Sequence, residues 1–148
     1  MRIELLHPDD INKCLPAAEK FHAIYDPEVP FSPGAFQRFW QNTYAAHNGF
    51  IIALWNEQRE VVGGIGGILT NFVTSEVSTC VEMFWWVNPE HRGKWGMKLL
   101  HYFEEMARAS GAARIAMAYM DSSMPDRMQK LYELLGYKPY EHHVMKVL

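Results

Sequence analysis

Apolar residues recur along this chain with two periods, and the switches between them divide it into elements. Arg2 to Leu6 predicts a first strand. Asp9 and Asp10 can each N-cap a helix. Ile11, Cys14, Leu15, Ala18 and Phe21 then recur at helical spacing and carry that helix to about Ile24. Pro16 falls inside the pattern, so the helix is expected to start late, break or kink there. Asp26-Pro27-Glu28-Val29-Pro30-Phe31 reads as a loop. Ser32-Pro33 supplies an N-cap followed by proline at the first helical position, and Phe36, Phe39, Trp40 and Tyr44 form one face of the second helix. Phe50 to Trp55, a turn at Asn56–Arg59, and Glu60 to Val73 predict a hairpin. Val77 to Val87 predicts a third, longer strand with few polar interruptions.

From about Lys94 to Ser110 the period is helical again. Leu99, Leu100, Phe103, Met106 and Ala107 fall inward and Lys98, Glu104, Glu105 and Arg108 outward. Gly111 closes the helix. Arg114 to Met120 is a short apolar strand, so 77–120 reads as a β-α-β unit, parallel and right-handed by the usual rule for such crossovers. A helix from about Met124 to Leu135 ends at Gly136, and Tyr137 to Leu148 predicts one or two final strands turning near Glu141-His142. The expected architecture is a single α/β domain over 1–148. Its sheet is mixed and mostly antiparallel, with a central β-α-β crossover and helices on both faces.

Composition narrows the class. A length of 148 residues suffices for one domain with its own core, and no repeat, low-complexity tract or linker divides it. The net charge of −3 argues against a dedicated nucleic-acid binder. No apolar run approaches the roughly 20 residues that span a bilayer, and the N-terminus lacks a signal-peptide pattern, so no membrane partner is expected. Cys14 and Cys80 lie far apart without a CxxC. Neither a disulfide framework nor a zinc site is expected, and a reducing cytoplasm is the default. The many aromatic residues imply an aromatic core or cleft, the core being the commoner arrangement.

Three places carry candidate chemistry. In Arg92-Gly93-Lys94-Trp95-Gly96-Met97-Lys98 a strand feeds a helix through a turn with two glycines and three cations. Helix N-terminal amides and positive charge converge there, which suits a phosphate-bearing ligand; a solvated basic rim on a structural turn is the competing reading. The run is neither a P-loop nor GxGxxG. Gly63-Gly64-Ile65-Gly66-Gly67 lies inside a strand with no helix after it, and reads as a bulge or a close backbone approach. Glu82 interrupts an apolar strand. On strict alternation it shares a face with Phe84 and Trp86, and partial desolvation there would raise its pKa toward that of a general base; a strand-end carboxylate reaching solvent or a salt bridge is equally consistent. Tyr132 could protonate a leaving group, although a lone helical tyrosine more often packs. His142-His143 has no third ligand at metal-like spacing, so no metal is expected.

Taken together, Val87-Asn88-Pro89-Glu90-His91-Arg92-Gly93, the helix from Gly96 to Gly111, and Leu131-Tyr132-Glu133-Leu134-Leu135-Gly136-Tyr137-Lys138-Pro139-Tyr140 resemble three motifs of the GNAT superfamily of acetyl-CoA-dependent N-acetyltransferases. Phe84-Trp85-Trp86 is similar to a run in small bacterial and phage members. The resemblance implies a GNAT-like fold over essentially the whole chain. It also implies acetyl-CoA as co-substrate in a V-shaped gap between strands 77–87 and 114–120. The pantetheine would pair with the backbone near Trp86, Val87 and Asn88. The pyrophosphate would sit on Arg92, Gly93, Lys94, Trp95, Gly96 and Met97, beside Lys98. An amine, on a small molecule or a peptide, would attack the thioester directly. A backbone N–H near Trp86 or Val87 would polarise the carbonyl, Glu82 would take the amine proton, directly or through water, and Tyr132 would protonate the thiolate. The Tyr25–Phe31 loop, with Asp26 and Glu28, falls where the family closes over its acceptor. The family's [QR]-x-x-G-x-[GA] loop fits only if one residue is deleted, which brings Gly96 to the final glycine place and implies a shortened loop. Pro125 stands where the family often has Asn. A homodimer is compatible with this reading. The alternatives are a CoA-binding module without chemistry, transfer of a longer acyl group, and an unrelated phosphate-ligand protein.

Overall fold

Five strands pair in one sheet in the order β1 (Arg2–Leu5), β2 (Gly49–Trp55), β3 (Val61–Asn71), β4 (Ser78–Val87) and β5 (Arg114–Ala116). The first four run antiparallel to their neighbours, and β4 and β5 are parallel. The computed structural model describes every residue from Met1 to Leu148. Its contacts form two compact units, Met1–Ala118 and Tyr119–Leu148.

In the first unit, helices cover both faces of the sheet. On one face Leu99, Leu100, Phe103 and Ala107 of α3 (Lys94–Ala109) pack on Phe50, Ile52, Leu54, Ile65, Cys80 and Val87. Met106 is only partly buried against that cluster. On the other, Ala17 of α1 (Leu15–Tyr25) and Trp40 of α2 (Pro33–Ala45) pack with Ile11 and Cys14 on Ile51, Ala53, Trp55 and Trp86. Both α1 and α2 therefore lie on the same face. This double cover explains why β2 reads as an unbroken apolar run: Ile51, Ile52, Ala53 and Leu54 are all 0% exposed, as in any strand buried on both sides. Each buried Ile or Leu contributes roughly 1.5–3 kcal/mol by transfer from water.

The start of the first helix differs from the sequence reading. Pro8–Cys14 is a 3-10 helix capped by His7, whose Nδ1 accepts from Asp9 N–H at 3.3 Å, rather than an α-helix capped by Asp9 or Asp10. Pro16 then occupies the first turn of α1, where its missing N–H is harmless. Ser32 caps α2 by accepting from Ala35 N–H, with Pro33 at its start.

The glycines of β3 let large rings lie against the sheet from both sides. A Cβ on Gly66 would stand 2.5 Å from Phe84 and 2.7 Å from Trp40; one on Gly67 would stand 2.6 Å from Phe103. Gly66→Ala is therefore expected to lower stability by about 1–3 kcal/mol through overpacking. The entropic gain of removing a glycine is smaller, and Trp40 is too deeply buried to step aside. Urea unfolding checks this, and an unchanged midpoint would show that the ring packing tolerates a methyl group.

The β3–β4 ladder shifts register between Gly66 and Gly67: Gly66 pairs with Phe84 and Gly67 with Glu82, which leaves Met83 as an extra, bulged residue. Strict alternation through β4 therefore fails. Glu82 sides with Gly67 and Cys80 on the α3 face, and Phe84 and Trp86 side with Gly66 on the α1–α2 face.

β5 is shorter than the expected 114–120. It pairs only from Thr79↔Arg114 to Val81↔Ala116, and the next step would meet the bulge. The second unit contains α4 (Pro125–Leu134), closed at Gly136 with φ 86°. The strands expected in Tyr137–Leu148 do not form; the segment carries no regular structure. Pro139 removes a donor from any ladder there, and the tail's apolar residues, Val144 at 98% and Val147 at 81% exposure, pack on nothing that would hold a strand.

Candidate active site

The parting of β4 and β5 brings the candidate groups of the first unit onto one strand and the turn after it. Pairing stops at Val81 and Ala116, and Glu82 is the first residue of β4 past that point. Its Oε2 accepts from Ala118 N–H at 3.2 Å, so the carboxyl stands in the fork and holds its far side. Glu82 keeps some exposure as a residue, but burial of the carboxyl is the dominant influence. It pushes the pKa up to about 7, against a smaller lowering by the Ala118 hydrogen bond.

Beyond the fork, the ladder decides which main-chain groups of β4 reach the open edge. Asn88 N–H donates to Val62 O at 2.8 Å. In an antiparallel ladder, alternate residues face opposite neighbours. Trp86 therefore also turns its main-chain groups to β3, while Trp85 and Val87 turn theirs to the side that β5 has left. Of the two amides expected near the thioester, Val87 N–H has the better direction. The Val87 carbonyl already accepts from Arg92 Nε at 3.0 Å.

Arg92 is thus a brace between the strand end and the turn. Its guanidinium also lies 4.9 Å from the Trp86 ring centroid. The Trp86 indole N–H donates to Asn88 Oδ1 at 3.0 Å, and Asn88 is buried. The Trp86 indole N–H and the Asn88 side-chain oxygen are committed to one another, so both residues build the edge.

Gly93, with φ 83° and ψ −117°, makes the turn that launches α3. No side chain caps the helix, and its first internal donor is Met97 N–H, to Gly93 O at 3.3 Å. The amides of Lys94, Trp95 and Gly96 therefore precede the helical ladder and point out of its N-terminus. Only Arg92 and Gly93 form loop here, and Lys94 to Lys98 are already helical. Lys94 and Lys98 lie 5.6 and 4.6 Å from the Trp95 ring centroid, one on each side in sequence. Gly96 is buried against Trp85. Backbone donors and three cations at one helix start have the charge and polarity for a pyrophosphate.

Tyr132 belongs to the second unit, on α4, where it is buried. Its ring lies 6.3 Å from that of Tyr119 and 5.3 Å from that of Tyr137, and its carbonyl accepts from Tyr137 N–H at 2.9 Å. The two cysteines are poor nucleophiles: burial pushes the Cys14 thiol up to about 12 and the Cys80 thiol up to about 11. No three His, Cys, Asp or Glu side chains gather to hold a metal ion, and no helix is long and apolar enough to cross a membrane.

Two features of the site went unread in the sequence. The Ala118 amide is 36 residues from Glu82, and no local pattern announces it. The bulge at Met83 is defined by a partner strand.

A family model described as "Acetyltransferase (GNAT) family" matches residues 17–137. No curated protein matches the sequence. Among solved structures, a probable acetyltransferase superposes with a TM-score of 0.78 at 17% identity, covering 100% of this chain and 99% of that one. An aminoglycoside acetyltransferase from an uncultured soil metagenomic sample gives 0.74 at 16% identity, over 99% and 97% of the two chains. A ribosomal-protein-alanine N-acetyltransferase from Brucella melitensis biovar Abortus 2308 gives 0.70 at 15% identity, over 99% and 100%. At these identities the likeness is one of fold.

Proposed function

The chain belongs to the acetyltransferase (GNAT) family, and from that premise we propose that it moves an acetyl group from acetyl-CoA to an amine, as one catalytic domain spanning residues 1–148. The observation that carries this reading is the fork at Val81 and Ala116, with a partly desolvated carboxylate at its start and an uncapped helix N-terminus at the end of the same strand. From Glu82 to Val87 the open strand runs roughly 16 Å at about 3.3 Å per residue, so both ends of one extended molecule can be held along it. Acetyl-CoA supplies the activated thioester.

In this reading the amides of Lys94, Trp95 and Gly96, with the cations of Lys94, Lys98 and Arg92, hold the pyrophosphate. Val87 N–H pairs with the acyl donor along the edge and stabilises the oxyanion that develops on its carbonyl. Glu82 accepts the proton released as the amine nitrogen bonds to the acyl carbon. Tyr132 gives its proton to the sulfur as the C–S bond breaks. The buried, protonated thiols support direct attack by the amine in preference to an acyl-cysteine.

Acetyl-CoA is expected to raise the melting temperature by mass action, about 2.7 kcal/mol of added stability at a concentration of 100 Kd. Release of free CoA with a panel of amines tests the transfer. Absence of a thermal shift at millimolar acetyl-CoA would remove the reading. A shift without CoA release from any amine would favour a binding module, a reading that the short Arg92–Gly93 loop also supports.

A further inference from the structure

The sheet has two edges, and they differ. At one, β4 and β5 part to make the fork. At the other, β1 is an outer strand with a single neighbour, β2. Leu6 N–H donates to Ile51 O at 2.8 Å, in register with the pairs from Leu5↔Ile52 to Arg2↔Trp55. Main-chain groups alternate along an antiparallel ladder, so Arg2, Glu4 and Leu6 turn theirs to β2. Ile3 and Leu5 turn theirs outward, where the sheet offers no further strand. Proline, a bulge or a covering element commonly blunts such an edge. β1 has no proline and its register with β2 is unbroken. Three of its four residues are exposed, Leu5 among them at 47%.

The order of the side chains decides what can pair with this edge. Met1 and Ile3 pack against the cluster beneath α3, and by alternation Leu5 lies on that same face. Arg2 and Glu4 are on the opposite face. Their side chains join at 3.2 Å, and the Arg2 guanidinium lies 5.7 Å from the Trp55 ring centroid. The strand thus carries apolar residues on one side, and on the other a cation and an anion two residues apart. A second copy laid antiparallel on the edge must set outward-turned residues against each other to form main-chain hydrogen bonds. Centred on Arg2 or on Glu4, such a pairing puts like charges directly opposite, which is destabilising. Centred on Ile3, it puts Arg2 opposite Glu4 of the second copy, twice. These are the non-hydrogen-bonded positions, where side chains come closest. The same register sets Ile3 against Ile3 and Met1 against Leu5 on the apolar face, and gives the outward main-chain groups of Ile3 and Leu5 their partners.

We propose that the β1 edge is a self-association surface whose partner is a second copy of this chain, related by a twofold axis through Ile3, with Arg2–Glu4 ion pairs crossing between the copies. Main-chain bonds supply the affinity, as for any strand added to an open sheet edge, and the four charges fix the register. The five strands of each copy then join in one sheet, with β1 at its middle and the two forks at its far ends. The surface is separate from the acetyl-CoA site, and the inference does not depend on the acetyltransferase reading.

Sedimentation velocity of the whole chain, from about 1 μM to about 300 μM to span micromolar dissociation constants, tests this. The wild type is expected to pass from monomer to dimer within that range. Arg2→Glu and Glu4→Arg each leave charges of a single sign on the strand. Each is expected to weaken the dimer at least about tenfold, because two favourable cross-strand pairs become two unfavourable ones. The double variant Arg2→Glu/Glu4→Arg exchanges the charges and is expected to restore the dimer. An equimolar mixture of the two single variants is expected to restore it as a heterodimer, since one supplies both anions and the other both cations. Circular dichroism at the lowest concentration reports that each variant is folded. Hydrogen exchange of the wild type gives a second readout that needs no variant: the Ile3 and Leu5 amides are expected to slow as concentration rises. A wild type that stays monomeric throughout, a dimer that either single reversal leaves intact, or a loss that the exchange or the mixture fails to restore overturns the proposal. So do Ile3 and Leu5 amides that exchange equally fast at both ends of the range.

Discussion

Glu82→Gln is expected to lower kcat/KM for amine acetylation by about 10²–10⁴, the range for loss of a positioned general base. Gln is nearly isosteric and its amide oxygen can still accept from Ala118 N–H, so the fork is retained and the proton acceptor is lost. The wild-type rate should rise with pH through about 7, where Glu82 loses its proton, and the variant should lack that limb. Stability should move the opposite way. The carboxyl has its ordinary pKa when unfolded and a raised one when folded, so the folded state binds the proton more tightly. Whatever stability that proton provides is fully present below the unfolded value and is lost as pH rises through about 7. Above pH 7 the wild-type protein therefore carries a desolvated anion that the variant does not. Glu82→Gln is expected to be the more stable protein at pH 8 by on the order of 2 kcal/mol, after allowance for partial exposure, with the difference vanishing near pH 4. Paired pH–rate and pH–melting profiles check both signs. A variant that keeps its acidic limb, or that is less stable at pH 8, would show that another group does the work.

Tyr132→Phe is expected to reduce kcat by about 10²–10⁴ through loss of the proton donor to the thiolate. It removes a single oxygen, so the contacts of the ring with Tyr119 and Tyr137 should survive and the melting temperature should change little. A purely structural tyrosine would give the reverse: a lower melting temperature and an unaltered kcat. Leaving-group dependence separates the roles further. An acetyl thioester whose thiol has a lower pKa needs less help from an acid, and the gap between wild-type and Tyr132→Phe should narrow with it. An equal gap for both donors would take Tyr132 out of the proton path.

Much of the architecture is local and therefore legible. Leu99, Leu100, Phe103 and Ala107 announce α3 by period alone, and each is buried where the period puts it. Ser32-Pro33 starts α2 by chemistry that any sequence carries. The glycines of 63–67 read as a bulge or a close approach, and the strand has both. The errors in the sheet share one cause, which is information held by a partner. The side to which Glu82 turns depends on one extra residue, Met83, that exists only relative to β3. β5 ends where β4 bends, and the tail after Pro139 has strand-like residues without a strand to join. In the site, Glu82 and the Arg92–Lys98 turn stand out by residue type, as an acid in an apolar run and as glycines among cations. That Arg92 is tied to Val87 O, and that Ala118 N–H meets Glu82, are long-range facts without a sequence signature.

Sheet neighbours are also sequence neighbours here, and the longest closure, from β1 to β2, is fastened by a single hydroxyl. The β2–β3 and β3–β4 ladders close short turns, which forfeit little chain entropy. β1 must cross the whole helical segment to reach β2. The Tyr44 hydroxyl donates to Leu6 O at 2.8 Å across 38 residues and accepts from Ile51 N–H at 3.0 Å across 7. It fastens the end of α2 both to the edge where β1 arrives and to the middle of β2. Docking the helix thereby shortens the loop that β1 still has to close, so the two events reinforce each other thermodynamically. Burial holds the Tyr44 phenol protonated, its pKa pushed up to about 12, so this rivet between distant parts of the chain keeps its donor past the pH near 10 at which an exposed phenol ionises.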